Sequence, residues 1–178
     1  MGIFLDIKRV ISKEKQMFRT GTGRLCYTQI AMKVYLDNCA LNRPFDDQSQ
    51  ERIRLETEAV MLIFSRLERK EWTWIGSQAL EIEIEMTPDP GQRSRLQRVT
   101  DYVRQSIIIG PEEIERAREL EKAGFIGFDA VHPACAESGK ADVFLTTDDR
   151  LLKLAKRKAK QLQVKVENPL DWAKEILW

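Results

Sequence analysis

Short apolar strands alternate with longer amphipathic segments along most of this chain, and few folds accommodate such an order. Strands are predicted at residues 33–37, 72–76, 106–110, 143–147 and 163–167. Helical spacing is found at residues 49–71, 80–86, 96–103 and 111–124, from about 129, and at 149–160 and 170–177. Connections of this kind join parallel strands and cover both faces of a sheet. The sequence therefore predicts an α/β fold with a central parallel sheet.

Residues 80–86, LEIEIEM, carry two conflicting signals. Their apolar and acidic residues alternate with a period of two, which is typical of a strand. Leu and Glu are good helix formers, however, and Ser77 is a suitable N-cap for a helix that follows it. We predict a helix, and the alternation leaves open whether Glu81 or Glu83 faces the neighbouring elements.

Length and composition indicate one globular domain. The chain has 178 residues, of which 43% are hydrophobic and 32% charged, and a net charge of +1. Such a chain can bury a continuous apolar core. No apolar run approaches the roughly 20 residues that span a bilayer, and the charged N-terminus lacks the features of a secretory signal. We expect a cytoplasmic protein.

Cysteine and histidine usage narrows the possible chemistry. Cys26, Cys39 and Cys135 are odd in number and widely spaced, which is typical of reduced intracellular thiols and not of a disulfide framework or a zinc ribbon. Cys39 and Cys135 are expected to be small core residues. His132 is the only histidine, so no zinc site with several histidine ligands can be built from this chain.

Residues 1–31 differ from the rest of the chain. They contain the flexible stretch GTG at 21–23 and show poor periodicity, and Met32 directly precedes the first clear strand. Two interpretations stay open: an appendage from a misassigned start, with Met32 as the initiator, or a genuine N-terminal arm. The functional domain is assigned to residues 32–178.

Acidic residues lie where the predicted strands pass into loops. Asp37 ends the first strand, and Glu81 and Glu83 follow the second within a few residues. Asp129 begins the helix that precedes the fourth strand, and Asp148 ends that strand. In an open parallel sheet, ligands bind beyond the carboxyl ends of the strands. We therefore expect these acids to meet at one edge of the sheet.

A group of carboxylates at one edge favours a metal site. Their mutual repulsion raises their pKa values and lowers stability, and a divalent cation relieves it. Oxygen ligands without thiolate or imidazole suit Mg²⁺ or Mn²⁺. Such ions activate water and neutralise the charge that develops on a phosphoryl group. Each acid alone is more often a helix cap or a turn residue, so the prediction depends on their convergence.

The motifs around these acids resemble those of PIN-domain proteins. They are YLDNCALNRPFDD, SQALEIEIEMTPDP, GFDAVHPACAE and FLTTDDRLLK. The resemblance covers nearly everything from Lys33 to the C-terminus. It implies a three-layer α/β/α sandwich whose acids hold Mg²⁺ or Mn²⁺ for the hydrolysis of RNA phosphodiesters. Many bacterial members are VapC-like toxins that pair with an antitoxin, and members often form homodimers.

Carried over to this sequence, the resemblance implies four catalytic metal ligands. These are Asp37, Glu83, Asp129 and Asp148. Glu81 competes with Glu83 for the second position. Asn38 is expected to orient the first ligand, and the hydroxyls of Thr146 and Thr147 to support the fourth. Asp149 is expected to be the N-cap of the helix that follows.

Pro133 departs from the family pattern, in which this helix commonly reads D-A-x-H-L-A. With Asp129 as the N-cap, Pro133 falls at the edge of the first turn, where it forfeits a backbone hydrogen bond and crowds a carbonyl. This departure favours an alternative function, a non-catalytic RNA-binding or protein-interaction module on the same fold. His132 is expected to be a packed structural residue outside the site.

Residues 150–160, RLLKLAKRKAK, carry six cations and no acid. A solvated helix face is the usual explanation of such a run. Because the run follows Asp148 directly, it can also contact phosphates. The predicted nucleic-acid-binding residues are Arg150, Lys153, Lys156 and Arg157. The leading prediction is an Mg²⁺- or Mn²⁺-dependent endoribonuclease, the toxin of a toxin–antitoxin pair.

Overall fold

The computed structural model describes residues 16–19, 25–28 and 31–177. The chain divides into two compact units, residues 1–31 and 32–178. In the first unit, strands β1 (Gln16–Arg19) and β2 (Leu25–Thr28) pair in antiparallel fashion. The GTG stretch at 21–23 lies outside the described residues. Whether residues 1–31 belong to the native protein stays a prediction.

The second unit is built on one sheet of five parallel strands. They are β3 (Lys33–Leu36), β4 (Thr73–Ser77), β5 (Gln105–Ile107), β6 (Val143–Leu145) and β7 (Lys165–Glu167). Their order across the sheet is β5-β4-β3-β6-β7, and each neighbouring pair is parallel.

Eight α-helices are found in the described part of the chain. They are α1 (Asn38–Asn42), α2 (Glu51–Glu68), α3 (Gln78–Glu85), α4 (Pro90–Val99), α5 (Pro111–Lys122), α6 (Phe128–Ser138), α7 (Asp149–Arg157) and α8 (Pro169–Leu177). Short 3₁₀ segments lie at Arg43–Phe45, Thr100–Tyr102 and Ala159–Gln161. None of the helices in this part of the chain has the length and apolar character needed to cross a membrane.

The strands place their side chains alternately in two cores. Val34 and Leu36 of β3 pack with helices α1, α2, α3, α4 and α8 on one face of the sheet. Tyr35, between them, packs with helices α5, α6 and α7 on the other face. This alternation is the period of two that a β-strand imposes. The predicted α/β fold, a three-layer α/β/α sandwich with a central parallel sheet, is confirmed.

The segment with conflicting signals is a helix, as predicted. Helix α3 begins after Ser77, whose Oγ accepts a hydrogen bond from the amide of Leu80 at 3.2 Å. Leu80 and Ile84 are buried, whereas Ile82 is 41% exposed. Two of the alternating apolar residues thus face the core at a spacing of four, which is the spacing of a helix face.

The strand order creates a switch point between β3 and β6. The chain moves outward from β3 to β4 and β5, and then returns to β6, on the other side of β3, before it reaches β7. Crevices for ligands open at such points, beyond the carboxyl ends of the strands. The amide of Asp37 donates to the carbonyl of Leu145 across this point, at 3.3 Å.

Helix α6 differs from the prediction at its start. Gly127, with φ of 57°, precedes the first helical residue, Phe128, so Asp129 lies inside the first turn and is not the N-cap. Gly tolerates this left-handed backbone at low cost. Pro133 is buried in the middle of the helix, which continues to Ser138. Packing on the sheet therefore holds the helix together despite the missing amide.

Candidate metal-binding and active site

Asp37 is the first residue after β3 and lies at the bottom of the switch point. Its side chain is 3% exposed, and Oδ1 accepts a hydrogen bond from the amide of Ala40 at 2.8 Å. Burial raises the pKa of this carboxyl from 3.8 to about 6, and the charge of Glu83 adds to the rise. His132, the hydroxyl of Thr146 and the Ala40 amide lower the pKa in part. The ionised form of Asp37 thus lacks a full counter-charge.

Glu83 of helix α3 reaches the same region. Its side chain is 22% exposed, and Oε2 lies 2.6 Å from Nε2 of His132. Glu81, in contrast, is exposed, and its Oε1 accepts a hydrogen bond from Oγ of Ser106 at 3.0 Å. The helix therefore brings Glu83, and not Glu81, toward Asp37.

Asp129 approaches from helix α6. Its Oδ2 accepts a hydrogen bond from Nη2 of Arg150 at 3.2 Å. Burial raises the pKa of Asp129, as do the charges of Asp148 and Glu83, whereas Arg150 and His132 lower it. The acid from α6 is thus within electrostatic reach of the acids from α3 and α7.

Asp148 caps helix α7. Its Oδ1 accepts hydrogen bonds from the amides of Arg150 at 2.7 Å and Leu151 at 3.0 Å. The prediction that Asp149 is the N-cap is therefore wrong. Asp149 is the first helical residue, and its carboxylate pairs with Arg52. The chain turns into the helix one residue earlier than predicted.

All four acids lie within electrostatic reach of the thiol of Cys39. Partial desolvation raises its pKa, and the charges of all four carboxylates add to the rise, in the order Asp37, Asp148, Glu83 and Asp129. Cys39 itself is exposed, so the prediction that it is a core residue is wrong, whereas Cys135 is buried as predicted. The thiol lies on helix α1 directly beside the acidic group.

The four acids match a hard cation in kind but are not arranged around one. Among the described residues, no three His, Cys, Asp or Glu side chains are placed to hold a single metal ion. Each acid instead contacts a protein group, as Asp129 contacts Arg150. The donors are all oxygens, which suits Mg²⁺ or Mn²⁺. Burial is the main cause of the raised pKa values of Asp37 and Asp129, and neighbouring carboxylates add to the rise; a cation beside them would lower both pKa values.

The predicted supporting residues lie close to the acids. The amide of Asp148 donates to Oγ1 of Thr146 at 3.0 Å, so Thr146 contacts both Asp37 and Asp148. Oγ1 of Thr147 is buried and has no hydrogen-bond partner among the described residues. Oδ1 of Asn38 accepts a hydrogen bond from Nδ2 of Asn42 at 2.8 Å. A buried hydroxyl without a partner is costly, so a ligand or water beside Thr147 fits this environment.

Two residues at this edge were not predicted from the sequence. His132 is buried, as expected, but contacts Glu83 directly. The available signal was its position three residues after Asp129, which places both on one helix face. Arg43 also reaches this edge, where its Nη2 donates to the carbonyl of Thr147 at 3.2 Å.

The predicted basic residues lie on helix α7, which begins at the acids. The side chain of Arg150 is 79% exposed, and Lys153, Lys156 and Arg157 are exposed as well. A groove of about 430 Å³ opens on another side of the acids and is lined in part by Glu83. The site is therefore open to a large ligand.

Two solved structures are similar to this chain in backbone arrangement. One is PAE2754 from Pyrobaculum aerophilum, with 16% identity and a TM-score of 0.48, covering 84% of this chain and 92% of that one. The other is VapBC2 from Rickettsia felis bound to a DNA fragment from their promoter, with 16% identity and a TM-score of 0.46, covering 77% and 98%. No protein-family model matches the sequence, and the search of curated proteins found no significant match.

Proposed function

We propose that this chain is a metal-dependent endoribonuclease of the PIN type. The observation that carries the proposal is the convergence of four carboxylates at the switch point of a parallel sheet. Asp37 is buried there with a pKa of about 6. Each of these acids contacts a protein group, yet burial still raises the pKa of Asp37 and that of Asp129 above the ordinary Asp value. A bound divalent cation would offset the repulsion among the four carboxylates, and it would also attract the anionic phosphodiester.

Each residue at the site has a proposed role. Asp37, Glu83, Asp129 and Asp148 would hold Mg²⁺ or Mn²⁺, which supplies an activated water and neutralises charge on the phosphoryl group. Asp129 would exchange its present partner, Arg150, for the cation.

The guanidinium of Arg150 would then be free for the RNA. It stands beside the acids on an exposed side chain, and bidentate contact with a phosphate is the geometry that Arg favours. Lys153, Lys156 and Arg157 would hold the backbone further along helix α7.

The decisive measurement is cleavage of a single-stranded RNA with Mg²⁺, with Mn²⁺ and with EDTA. The Asp37→Asn and Glu83→Gln variants are expected to reduce cleavage to the level seen in EDTA, because each removes one anionic ligand. Glu81→Gln is the matched control, since Glu81 lies on the same helix and points to Ser106. Circular dichroism should show that all three variants are folded.

Two results would count against a metal-dependent nuclease that uses these acids. Metal-independent cleavage, or equal cleavage by the Asp37→Asn variant and the parent, would exclude the proposed role of the acids. Loss of cleavage in Glu81→Gln, with activity retained in Glu83→Gln, would reassign the second ligand.

A non-catalytic RNA-binding or protein-interaction module is the second candidate. It is favoured by one observation: each acid already contacts a protein group, and no three potential ligands surround a single point in the described residues. Such a module would bind RNA with the same affinity in Mn²⁺ and in EDTA and would show no turnover. Titration with Mn²⁺, Mg²⁺ and Ca²⁺ separates the two candidates.

The PIN resemblance extends the proposal to a toxin of a toxin–antitoxin pair. RNA is the proposed substrate, and a cognate antitoxin and a second copy of this chain are the proposed partners. The test is growth arrest on expression in a bacterial cytoplasm. Arrest is expected from the parent and not from the Asp37→Asn variant. A small reading frame directly upstream that relieves the arrest would identify the antitoxin.

A further inference from the structure

A buried hydrogen-bond chain runs from the end of β4 to the carboxylate of Glu83. Oγ of Ser77 lies 2.6 Å from the hydroxyl of Tyr35, and that hydroxyl lies 2.7 Å from Nδ1 of His132. Nε2 of His132 lies 2.6 Å from Oε2 of Glu83. We propose that His132 is a positioning residue that holds Glu83 ready for the cation. This inference rests on the function proposed above.

The chemistry of the groups sets the direction of the chain. A carboxylate only accepts hydrogen bonds, so Nε2 of His132 donates to Glu83. In a neutral imidazole the other nitrogen accepts, so Nδ1 accepts a hydrogen bond from the Tyr35 hydroxyl. Ser77 then donates to Tyr35, and its oxygen accepts from the amide of Leu80 at 3.2 Å. Every donor and acceptor along the chain is matched.

The chain joins elements that carry three of the four acids. Tyr35 lies on β3, two residues before Asp37, and His132 lies on α6, three residues after Asp129. Glu83 itself projects from α3. A shift of any of these elements would break a short hydrogen bond, so the chain couples their positions.

The imidazole ring is also held by packing. It is 3% exposed and lies 5.7 Å, 5.8 Å and 6.2 Å, centroid to centroid, from the rings of Tyr35, Phe128 and Phe144. The side chain of Glu83 is longer than those of the three Asp residues and is partly exposed. A free Glu side chain samples many rotamers. His132 contacts Oε2, so Oε1 is the oxygen left for a ligand. Because the imidazole ring is held in place, the Glu83 side chain would lose less conformational entropy when it binds a cation.

The protein has one histidine, which allows a direct test of the hydrogen-bond chain. In protein labelled with ¹⁵N-histidine, both imidazole signals come from His132. At about pH 8.5, above the ordinary histidine range, and in EDTA, we expect the tautomer with the proton on Nε2. In Tyr35→Phe the donor to Nδ1 is lost and the tautomer preference should weaken. If the parent has the opposite tautomer, with the proton on Nδ1, the proposed direction of these hydrogen bonds is wrong.

Two substitutions separate positioning from packing. Asn places its amide where Nδ1 lies, whereas Gln places its amide where Nε2 lies. The variant His132→Asn therefore keeps a partner for Tyr35 and loses Glu83, and His132→Gln does the reverse. We expect comparable losses of thermal stability in both.

Affinity for Mn²⁺, measured by electron paramagnetic resonance of the free ion, should distinguish the two variants. Loss of a group that orients a ligand lowers metal affinity by about 10- to 100-fold. We expect this loss in His132→Asn and an affinity close to that of the parent in His132→Gln. Equal affinities in the two variants, whether high or low, would show that His132 has only a structural role.

The two proposals fail in different ways. If the parent binds no Mn²⁺, the proposed function is wrong and the positioning role is lost with it, although the NMR result still decides whether the hydrogen-bond chain exists. If the parent binds Mn²⁺ and cleaves RNA while both variants behave alike, only the role of His132 is wrong.

Discussion

At the scale of single residues, burial of charge is the main feature of this protein. Asp37 is 3% exposed, and its only direct hydrogen-bond donors among the described residues are the Ala40 amide and the Thr146 hydroxyl. A carboxylate in such a place is destabilising when ionised. Asp37 therefore lowers the stability of the fold when it is ionised, and the cation proposed above would offset this cost.

The pH dependence of stability should reveal this cost. Because the pKa of Asp37 is raised from 3.8 to about 6, its protonated form favours the folded state. The contribution is fully present below the unfolded pKa and is lost as the pH rises through the folded pKa. The total loss is about 3 kcal/mol, of which about 2 kcal/mol falls between pH 4 and pH 7. In EDTA, the Asp37→Asn variant should therefore gain stability relative to the parent as the pH rises.

Urea unfolding at several pH values measures this difference. Asp47→Asn is a suitable control, because the pKa of Asp47 is lowered by hydrogen bonds from Ser49 and Gln50. As the pH falls below the ordinary Asp pKa and through the lowered pKa of Asp47, the parent should lose stability relative to that variant, which is the opposite direction. A constant difference between Asp37→Asn and the parent across this range would contradict the pKa assigned to Asp37.

At the scale of elements, helix α6 depends on a close approach to the sheet. Gly139 follows the helix, and a Cβ placed there would lie 2.5 Å from Cγ2 of Ile75 and 3.4 Å from the carbonyl oxygen of Cys135. Its φ of −70° is ordinary, so the constraint is steric and not conformational. This contact sets how near α6, with Asp129 and His132, lies to β4.

The Gly139→Ala variant should test this packing. We expect a loss of about 1–3 kcal/mol, the usual cost of adding a methyl group to a packed core. Gly127→Ala is a useful comparison, since no atom lies within 4 Å of its Cβ and its φ is 57°. Its cost should come from the positive-φ backbone alone, about 1–3 kcal/mol. A neutral Gly139→Ala variant in urea unfolding would show that α6 can move away from the sheet.

At the scale of the whole molecule, negative and positive side chains occupy two separate surfaces at the same edge of the sheet. The acids lie at the switch point, and the cations of helix α7 extend away from it. The net charge is only +1, so the protein as a whole does not attract nucleic acid. The RNA binding proposed above would therefore have to come from the local basic surface, and this would make it sensitive to salt.

The salt dependence of RNA binding can be predicted. For single-stranded RNA, the slope of log K against log salt changes by about 0.7 for each phosphate contact. Neutralising Lys153, Lys156 or Arg157 with Gln should reduce the slope by that amount. Binding is best measured in the Asp37→Asn background with EDTA, so that the RNA stays intact.

Lys140→Gln is the control for this experiment. Lys140 precedes β6, at the end of the sheet opposite to the acids, and it is exposed. Its removal should leave the slope unchanged. If all the variants, including this one, lower the slope equally, RNA binding is not localised on α7.

Much of the architecture was predictable because its causes are local. Strand and helix periods follow from which residues face the core within a few positions, and the helix at 80–86 needed only helix propensity and the Ser77 cap. Asp37 and Asp148 were predicted to lie at the same edge of the sheet because the ends of parallel strands meet there. These inferences require no knowledge of which helix packs against which.

The partners of the site residues needed the tertiary structure. The contact between His132 and Glu83 spans 49 residues, and that between Tyr35 and His132 spans 97. Whether Glu83 or Glu81 faces Asp37 depends on a rotation of helix α3 by two residues. Whether Asp148 or Asp149 caps α7 depends on a shift of one residue. The distance between the donor and acceptor atoms of a hydrogen bond varies by only a few tenths of an ångström. Long-range packing, and not the local sequence pattern, decides whether two side chains meet at such a distance.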